Sequence, residues 1–312
     1  MIRASVIVPA RDAQATLPRT LAALADQEGA PSFEVLVADD GSRDGTAGIV
    51  ERAGARLVSL DGAGPAEARN AAVAAASGAL LAFCDADCYP SARWLAAGTG
   101  ALDGADLVQG RVLPDPRAGL GPFDRSLWVT EETGLYETAN LFTTRSLFDR
   151  VGGFERWLEP MGDGHMGEDV WFGWRARRAG ARTAFCAEAL SHHAVFPRGG
   201  REYVAERRRL RHFPALAAKL PEIRETLFHR RLFLSRRTMK LDLALAGLAG
   251  AAGRRSALPL LAAAPYALEL RRHAKNRAGG DWKSVAAIDA AADLTGLAAL
   301  ARGSVAARTA VL

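Results

Sequence analysis

Asp85-Ala86-Asp87 sets two carboxylates two residues apart, directly after the apolar run Leu80 to Cys84. On an extended segment, side chains at i and i+2 point the same way. The spacing therefore predicts a pair sharing one hard divalent cation, Mg2+ or Mn2+, through oxygen ligands. Such a cation can bridge the two phosphates of a nucleotide diphosphate and stabilise charge on a leaving group. An isolated Asp-x-Asp is usually two solvated turn acids; the buried strand in front of this one sets it apart. His192-His193 follows the strand-like run Ala184-Phe185-Cys186, and either ring is a candidate for a metal or phosphate contact. Glu168-Asp169 opens a predicted helix, where the dipole favours acids in any case. A carboxylate held at a sheet rim can also take the proton of an attacking hydroxyl. Asp39-Asp40-Gly41-Ser42 with Asp44-Gly45-Thr46 is turn chemistry, with Thr46 a candidate helix cap. An acid at a strand's carboxyl end can accept hydrogen bonds from the imide or amino group of a base.

Alternating strands and helices must position these groups. Val6-Ile7-Val8 is a β-branched run ended by Pro9, and Phe33 to Ala38 closes on Asp39-Asp40. Leu57 to Leu60 is a third run and Leu80 to Cys84 a fourth. Between them, Thr16 to Asp26 carries Leu17, Leu21 and Leu24 on one helical face. Thr46 to about Arg52 and Pro65 to Ser77 supply two more helices. The pattern predicts an α/β fold with a mostly parallel sheet flanked by helices. In such sheets ligands bind beyond the carboxyl ends of the strands, where two of the four runs end in paired acids. Asp106 to Val112 reads as a further strand, Pro114 to Gly121 as a loop, and Glu168 to Ala179 as a helix.

The chain has 312 residues, room for one large domain and a smaller appendage. Its charge is divided. Residues 1–196 carry 18 Arg, no Lys and 26 Asp or Glu, a net −8; residues 197–312 carry 22 Arg or Lys and 9 acids, a net +13. The acidic part suits a cation, and the basic part suits an anionic partner such as a headgroup or lipid phosphate. Cys84, Cys88 and Cys186 form neither a disulfide framework nor a Cys-x-x-Cys zinc pair, which points to a reducing, cytoplasmic compartment. The start, Met1-Ile2-Arg3, does not resemble a secretory signal. No Walker loop, no Gly-x-Gly-x-x-Gly after the first strand and no Gly-x-Ser-x-Gly elbow occurs. These absences disfavour a P-loop enzyme, a dehydrogenase and an α/β-hydrolase. The aromatic interleaving of nucleic-acid binders is missing, so no nucleic acid is expected.

The ordered segments resemble glycosyltransferase family 2, whose members have the GT-A fold. They are Ser5-Val6-Ile7-Val8-Pro9-Ala10-Arg11-Asp12, Val37-Ala38-Asp39-Asp40-Gly41-Ser42-Arg43-Asp44-Gly45-Thr46, Ala68-Arg69-Asn70-Ala71-Ala72 and Phe83-Cys84-Asp85-Ala86-Asp87. Thr138-Ala139-Asn140-Leu141-Phe142, Val151-Gly152-Gly153-Phe154-Glu155 and Gly167-Glu168-Asp169-Val170-Trp171 complete the series over roughly residues 4 to 196. The resemblance implies a GT-A-type, Rossmann-like mixed sheet, mostly parallel, with a helical C-terminal extension. It implies an inverting, metal-dependent, hexosyltransferase-type enzyme using Mg2+ or Mn2+ and a nucleotide-diphosphate sugar donor. Pro9 and Ala10 then look like the wall of the nucleotide pocket, Asp40 matches the acid that contacts the base, and Arg69 the basic residue near the nucleotide. Asp85 and Asp87 match the metal and diphosphate motif, with His193 placed for a further metal or phosphate contact. Asp169 matches the catalytic base, with Glu168 beside it. Ala10-Arg11-Asp12 stands where many members have an aromatic residue followed by Asn. The Gln-x-x-Arg-Trp segment of processive synthases is absent, and Arg207-Arg208-Arg209 in that region lacks the Trp, so transfer of a single sugar is favoured. Two alternatives are a nucleotidyltransferase of related fold and a non-catalytic nucleotide-sugar-binding scaffold. The first lacks its Gly-rich basic signature after the first strand, and the retained acids argue against the second.

Composition places a domain boundary near 215, with a catalytic domain over 1–215 and a basic, Ala-rich helical extension over 216–312. Leu241 to Gly253 and Ser256 to Leu268 are apolar segments of 13 residues each, separated by Arg254-Arg255 and flanked by Arg230-Arg231, Arg236-Arg237 and Arg271-Arg272. Each is short of the ~20 residues that cross a bilayer as a helix. No uninterrupted apolar stretch is long enough, and no ordinary span is predicted. The pattern suits interfacial attachment at the inner face of an anionic membrane, with a helical hairpin packed on protein as the other reading. A lipid-linked or envelope glycan acceptor follows from the membrane reading; oligomeric state is left open.

Overall fold

The computed structural model describes residues 2–155, 167–254 and 257–312, with the side chain of Arg254 left out. Arg255 and Ser256, part of the basic separator and of the second apolar segment, lie outside the described residues. Two compact units form, Met1–Ala118 with Ser126–Val195, and Gly119–Arg125 with Phe196–Leu312. The second unit takes in residues upstream of the compositional boundary near 215.

The first unit holds one eight-stranded sheet. Its strands are β1 (Ala4–Ala10), β2 (Phe33–Asp40), β3 (Arg56–Leu60), β4 (Leu80–Cys84), β5 (Cys88–Pro90), β6 (Leu107–Pro114), β7 (Asn140–Thr144) and β8 (Thr183–His193). Their spatial order is β3-β2-β1-β4-β7-β6-β8-β5. The pairs β1/β2, β1/β4, β2/β3 and β6/β8 are parallel, whereas β7 runs antiparallel to both β4 and β6, and β5 antiparallel to β8. This is the mixed, mostly parallel sheet of the GT-A class. Pro9 does not end β1. Pairing with β4 stops at Ile7 opposite Phe83, so the residue without an N–H falls where only β2 flanks the strand.

Helices α1 (Leu17–Ala25), α2 (Thr46–Arg52), α3 (Pro65–Ala75), α4 (Trp94–Ala101), α5 (Arg145–Val151) and α6 (Glu168–Arg178) flank the sheet. Successive side chains of β4 serve its two faces. Ala82 and Cys84 join Leu17, Leu21, Leu24, Trp94 and Leu95 in one core cluster. Phe83 faces the other way and stacks with Phe148 and Phe154, which in turn contact Phe172. A buried polar group fixes the sheet centre. Asn140 accepts from Trp94 Nε1 at 2.7 Å and donates to the carbonyls of Arg111 and Ala189 at 2.8 and 2.7 Å. A Cβ at Gly110 would lie 2.3 Å from Asn140 Oδ1, so only glycine allows that approach.

The second unit is helical: α7 (Gly200–Glu206), a 3-10 stretch (Arg207–His212), α8 (Phe213–Lys219), α9 (Ile223–Thr226), α10 (Arg236–Arg254), a second 3-10 stretch (Leu258–Ala263), α11 (Ala264–Arg277) and α12 (Trp282–Ala307). By length and composition, α12 alone among the described helices could cross a membrane. Asp289, Asp293 and Arg302 interrupt its apolar residues, so the sequence holds no uninterrupted apolar run there. Here α12 packs within its unit: Gly296 faces Leu210, Gly303 lies against the backbone of Arg211, and buried Asp289 receives Arg277 at 3.0 Å. Arg237, counted above among the flanking basic clusters, is drawn into the same network by Asp293 at 2.7 Å. Arg230 and Arg231 stay exposed.

Candidate active site

The loops after β1 and β2 are stitched together by side chains on backbone amides. Ser42 Oγ accepts from Asp12 N at 2.9 Å, Asp12 Oδ1 from Arg43 N at 2.8 Å, and Thr46 Oγ1 from Ala13 N at 2.9 Å. Asp44 accepts from Gln14 N at 3.0 Å and Thr46 N at 2.9 Å, and the Thr46 hydroxyl holds its exposed carboxyl below the usual range. Thr46 was a candidate helix cap, but Gly45 occupies that position and Thr46 is the first helical residue. Its hydroxyl is already taken by Asp44 and Ala13. Ala10, after Pro9, is the last residue of β1 and is buried opposite Asp39. Asp39 accepts from the hydroxyl and, at 3.1 Å, the amide of Ser42, holding the turn. Buried Asp40 accepts from Ala63 N at 2.6 Å and Gly64 N at 2.9 Å, and Arg11 stands 3.7 Å away. Asp40 thus fixes the start of α3 to the end of β2.

That helix carries the central group. Arg69, with 6 % of its side chain exposed, donates to Asp85 Oδ1 at 3.0 Å and to Glu168 Oε1 at 3.1 Å. Burial alone would favour losing its proton. The carboxylates of Asp85, Glu168 and Asp169 outweigh that and hold its pKa above the ordinary value. One guanidinium therefore joins α3, the turn after β4 and the first turn of α6. The next residue locks the surrounding segments: Asn70 donates to Phe154 O at 2.8 Å and accepts from Phe154 N at 2.9 Å. Separate sequence segments meet here through adjacent side chains of one helix.

Asp85-Ala86-Asp87 is a turn, not an extended segment, and Cys88 N donates back to Asp85 O at 3.0 Å. The alternation that would aim both acids one way therefore does not operate. Asp85 faces Arg69, whereas Asp87 Oδ2 lies 3.5 Å from His193 Nε2. His192 and His193 do not follow a strand; they end one. β8 continues past Cys186 because of a bulge: Gly110 pairs with Cys186 but Arg111 with Leu190. Cys88 on β5 then sits opposite His193. His192 points elsewhere, with Nδ1 3.3 Å from Pro114 O.

The donor set fits a divalent cation. His193 Nδ1 lies 2.6 Å from the carbonyl of Ala194, which can only accept, so that nitrogen carries a proton and Nε2 is the ring atom turned to Asp87 Oδ2. Asp87, Cys88 and His193 offer ligand atoms within 4.8 Å of one another. Burial raises the Cys88 thiol well above its ordinary pKa, so the carboxylate of Asp87 and the ring of His193 are the donors ready without loss of a thiol proton. That set suits a divalent cation. Asp85 is the one sequence-assigned ligand held outside this group, by Arg69.

Asp169, second residue of α6, accepts from Val170 N at 2.8 Å. Loss of hydration and the neighbouring charges of Glu168 and Glu137 push its pKa well above the ordinary carboxylate value, against the pull of Arg69. Glu137 is an acid that the sequence did not single out, and burial raises its own pKa. Its signal in the sequence was only its place beside Thr138. Its neighbour Tyr136 adopts φ +52° and packs where a Cβ on Gly173 would come within 2.0 Å of the ring, which fits this loop against α6.

Residues 5–155 match the family model described as Glycosyl transferase family 2. Glycosyltransferase AglE of Haloferax volcanii is 31 % identical over 212 residues, covering 62 % of this chain and 68 % of that protein. The chain belongs to glycosyl transferase family 2. This family 2 glycosyltransferase is also similar to validoxylamine A glucosyltransferase of Streptomyces hygroscopicus subsp. limoneus, 28 % identical over 287 residues, 76 % of this chain and 62 % of that one. Among solved structures it resembles mannosyltransferase PcManGT from Pyrobaculum calidifontis in complex with GDP-Man and Mn2+. The TM-score there is 0.63 at 23 % identity, over 95 % of this chain and 87 % of that one. It also resembles S. aureus TarS 1-349 in complex with UDP-GlcNAc, at TM-score 0.52 and 17 % identity, over 99 % and 93 %. At these identities the likeness is one of fold, GT-A.

Proposed function

We propose that this family 2 glycosyltransferase moves a single sugar from a nucleotide-diphosphate donor to an acceptor hydroxyl with inversion at the anomeric carbon. The observation that carries the reading is the Arg69 bridge, which ties the Asp85 turn to the Glu168-Asp169 helix start through one buried guanidinium. Donor phosphates and an acceptor hydroxyl on either side of that guanidinium would meet across one sugar carbon.

The first two strand ends support the donor side. Pro9 and Ala10 wall the base, and Asp40 retains lone pairs beyond its two loop contacts. Asp87 and His193 would hold Mg2+ or Mn2+, and the cation would supply neutralisation of the leaving group's charge, while Asp85 is held by Arg69. Asp169 accepts the acceptor's proton as its oxygen bonds to the anomeric carbon and the carbon–oxygen bond to the diphosphate breaks. Its raised pKa makes it a stronger base than an ordinary aspartate. Glu168 keeps Arg69 in place beside it. The fold relatives solved with GDP-Man and Mn2+ and with UDP-GlcNAc agree with this reading. A lipid-linked or envelope glycan at the inner face of an anionic membrane is the acceptor that the basic second unit favours.

Calorimetric titration with UDP and with GDP, each with and without Mn2+, tests the donor side. Binding should require the metal and weaken about 10–100-fold in Asp87→Asn. Metal-independent binding, unchanged in that variant, would remove the assignment.

A further inference from the structure

The second unit carries an apolar surface that the sugar chemistry does not use. From Ala257 to Leu268 the sequence has no charged residue. Its leucines point outward: Leu258 is 75 % exposed, Leu261 72 %, Leu268 65 % and Leu260 42 %. Immediately beyond, Arg271, Arg272 and Lys275 are exposed on α11. Leu268, Arg271, Arg272 and Lys275 follow i, i+3, i+4, i+7 spacing and share one helical face. The outward stripe of α11 is therefore apolar at its start and cationic about 10 Å further along its axis. The opposite face is the one that holds the helix down: Tyr266 donates to Asp293 at 2.8 Å, Glu269 pairs with Lys240, Ala274 is buried, and Arg277 reaches Asp289.

We propose that the turn at Leu258–Ala263 and the outward face of α11 dock on an anionic lipid bilayer. The leucines enter the acyl boundary, and Arg271, Arg272 and Lys275 form a collar at the phosphate level. The order apolar tip, then basic collar, matches the order in which a bilayer presents hydrocarbon and then anionic headgroups. α11 has 14 residues, too few to cross the hydrocarbon, so the contact is peripheral. A second copy is a poor occupant, because a two-fold contact over the whole face would set each cationic collar against either the other collar or the other copy's leucines. The use of this contact, bringing the enzyme to its acceptor, rests on the function proposed above. Its test involves no sugar transfer, so either idea can fail alone.

The test is co-sedimentation of the full chain with vesicles of phosphatidylcholine, with or without phosphatidylglycerol. Wild type should bind the anionic vesicles and not the neutral ones. Leu258→Ser with Leu261→Ser should weaken that binding about tenfold or more. The triple change Arg271→Gln, Arg272→Gln, Lys275→Gln should weaken it about 100-fold. All five side chains are exposed, so both variants should keep the wild-type thermal midpoint within a few degrees. Three results would overturn the proposal: no vesicle binding, leucine variants that bind like wild type, or leucines that govern self-association in size exclusion while vesicles are ignored.

Discussion

Each unit sets an arginine among carboxylates, buried in the first and partly buried in the second, and the two arrangements differ in where the carboxylates come from. Arg69 draws Asp85 and Glu168 from two separate elements of the first unit, at 3.0 and 3.1 Å, and leaves Asp169 beside it as surplus acid. In the second unit, Arg237 meets Asp293 at 2.7 Å and Asp289 at 4.0 Å, one turn apart on α12. There the charges balance, Arg237 and Arg277 against Asp293 and the wholly buried Asp289, while burial and the two arginines push down the pKa of His273, 3.5 Å from Asp289. Arg69 and Arg237 stay protonated against the cost of burial because of these acids. Under the proposed mechanism the surplus acid is the proton acceptor, whereas two cations matched to two acids, one of them sealed, leave only helix packing. The proposed site is set apart by a guanidinium that collects acids from several elements while one of them stays reachable; Asp85 keeps 32 % of its side-chain surface.

That contrast can be broken in stages. The largest stability effect is expected for Asp289→Ala, which leaves the Arg277 guanidinium without its carboxylate and removes the second acid beside Arg237. Denaturant unfolding should register a loss of about 3–5 kcal/mol, with donor hydrolysis at low temperature unchanged. Arg69→Met should cost less stability, about 2–3 kcal/mol, because Asp85 and Glu168 can partly hydrate. It should lower transfer by about 100-fold or more, which Asp289→Ala should not. A smaller effect on both counts for Arg69 would dissolve the distinction. At the far end, Arg231→Gln breaks the exposed pair with Glu225 and should change unfolding by no more than about 0.5 kcal/mol.

Much of this was legible in the sequence because it depends on local pattern. The runs at Val6–Val8, Phe33–Ala38, Leu57–Leu60 and Leu80–Cys84 are mostly apolar and became β1 to β4, which pair in parallel. β5 and β7 were not legible: three and five residues long, they exist through pairing with β8, and with β4 and β6. The bulge that carries His193 into line with Cys88 is likewise a property of two strands together. Asp85, Asp87, Glu168 and Asp169 were named from their types and from the family they resemble. That Arg69 separates Asp85 from Asp87 could not be read, because a three-residue turn and a helix 16 residues upstream had to be in place first. Arg237 shows the converse: an arginine in a basic cluster looked like surface until two acids on a distant helix claimed it.

The central claim is that Asp169 is the base. Its pKa is raised in the fold, so ionising it costs stability as pH climbs from the ordinary carboxylate range through the elevated value, and stability is fullest below that range. The same ionisation makes the base active, so transfer should rise with pH along an acid limb displaced above that of an ordinary aspartate. The deciding measurement is the pH dependence of transfer, with donor affinity in parallel, for wild type and Asp169→Asn. The account predicts that the variant binds donor and metal as wild type does and loses about 10²–10⁴ in rate. It should also lack the acid limb and the matching slope in stability. A variant that transfers sugar at the wild-type rate with the limb unmoved would contradict it.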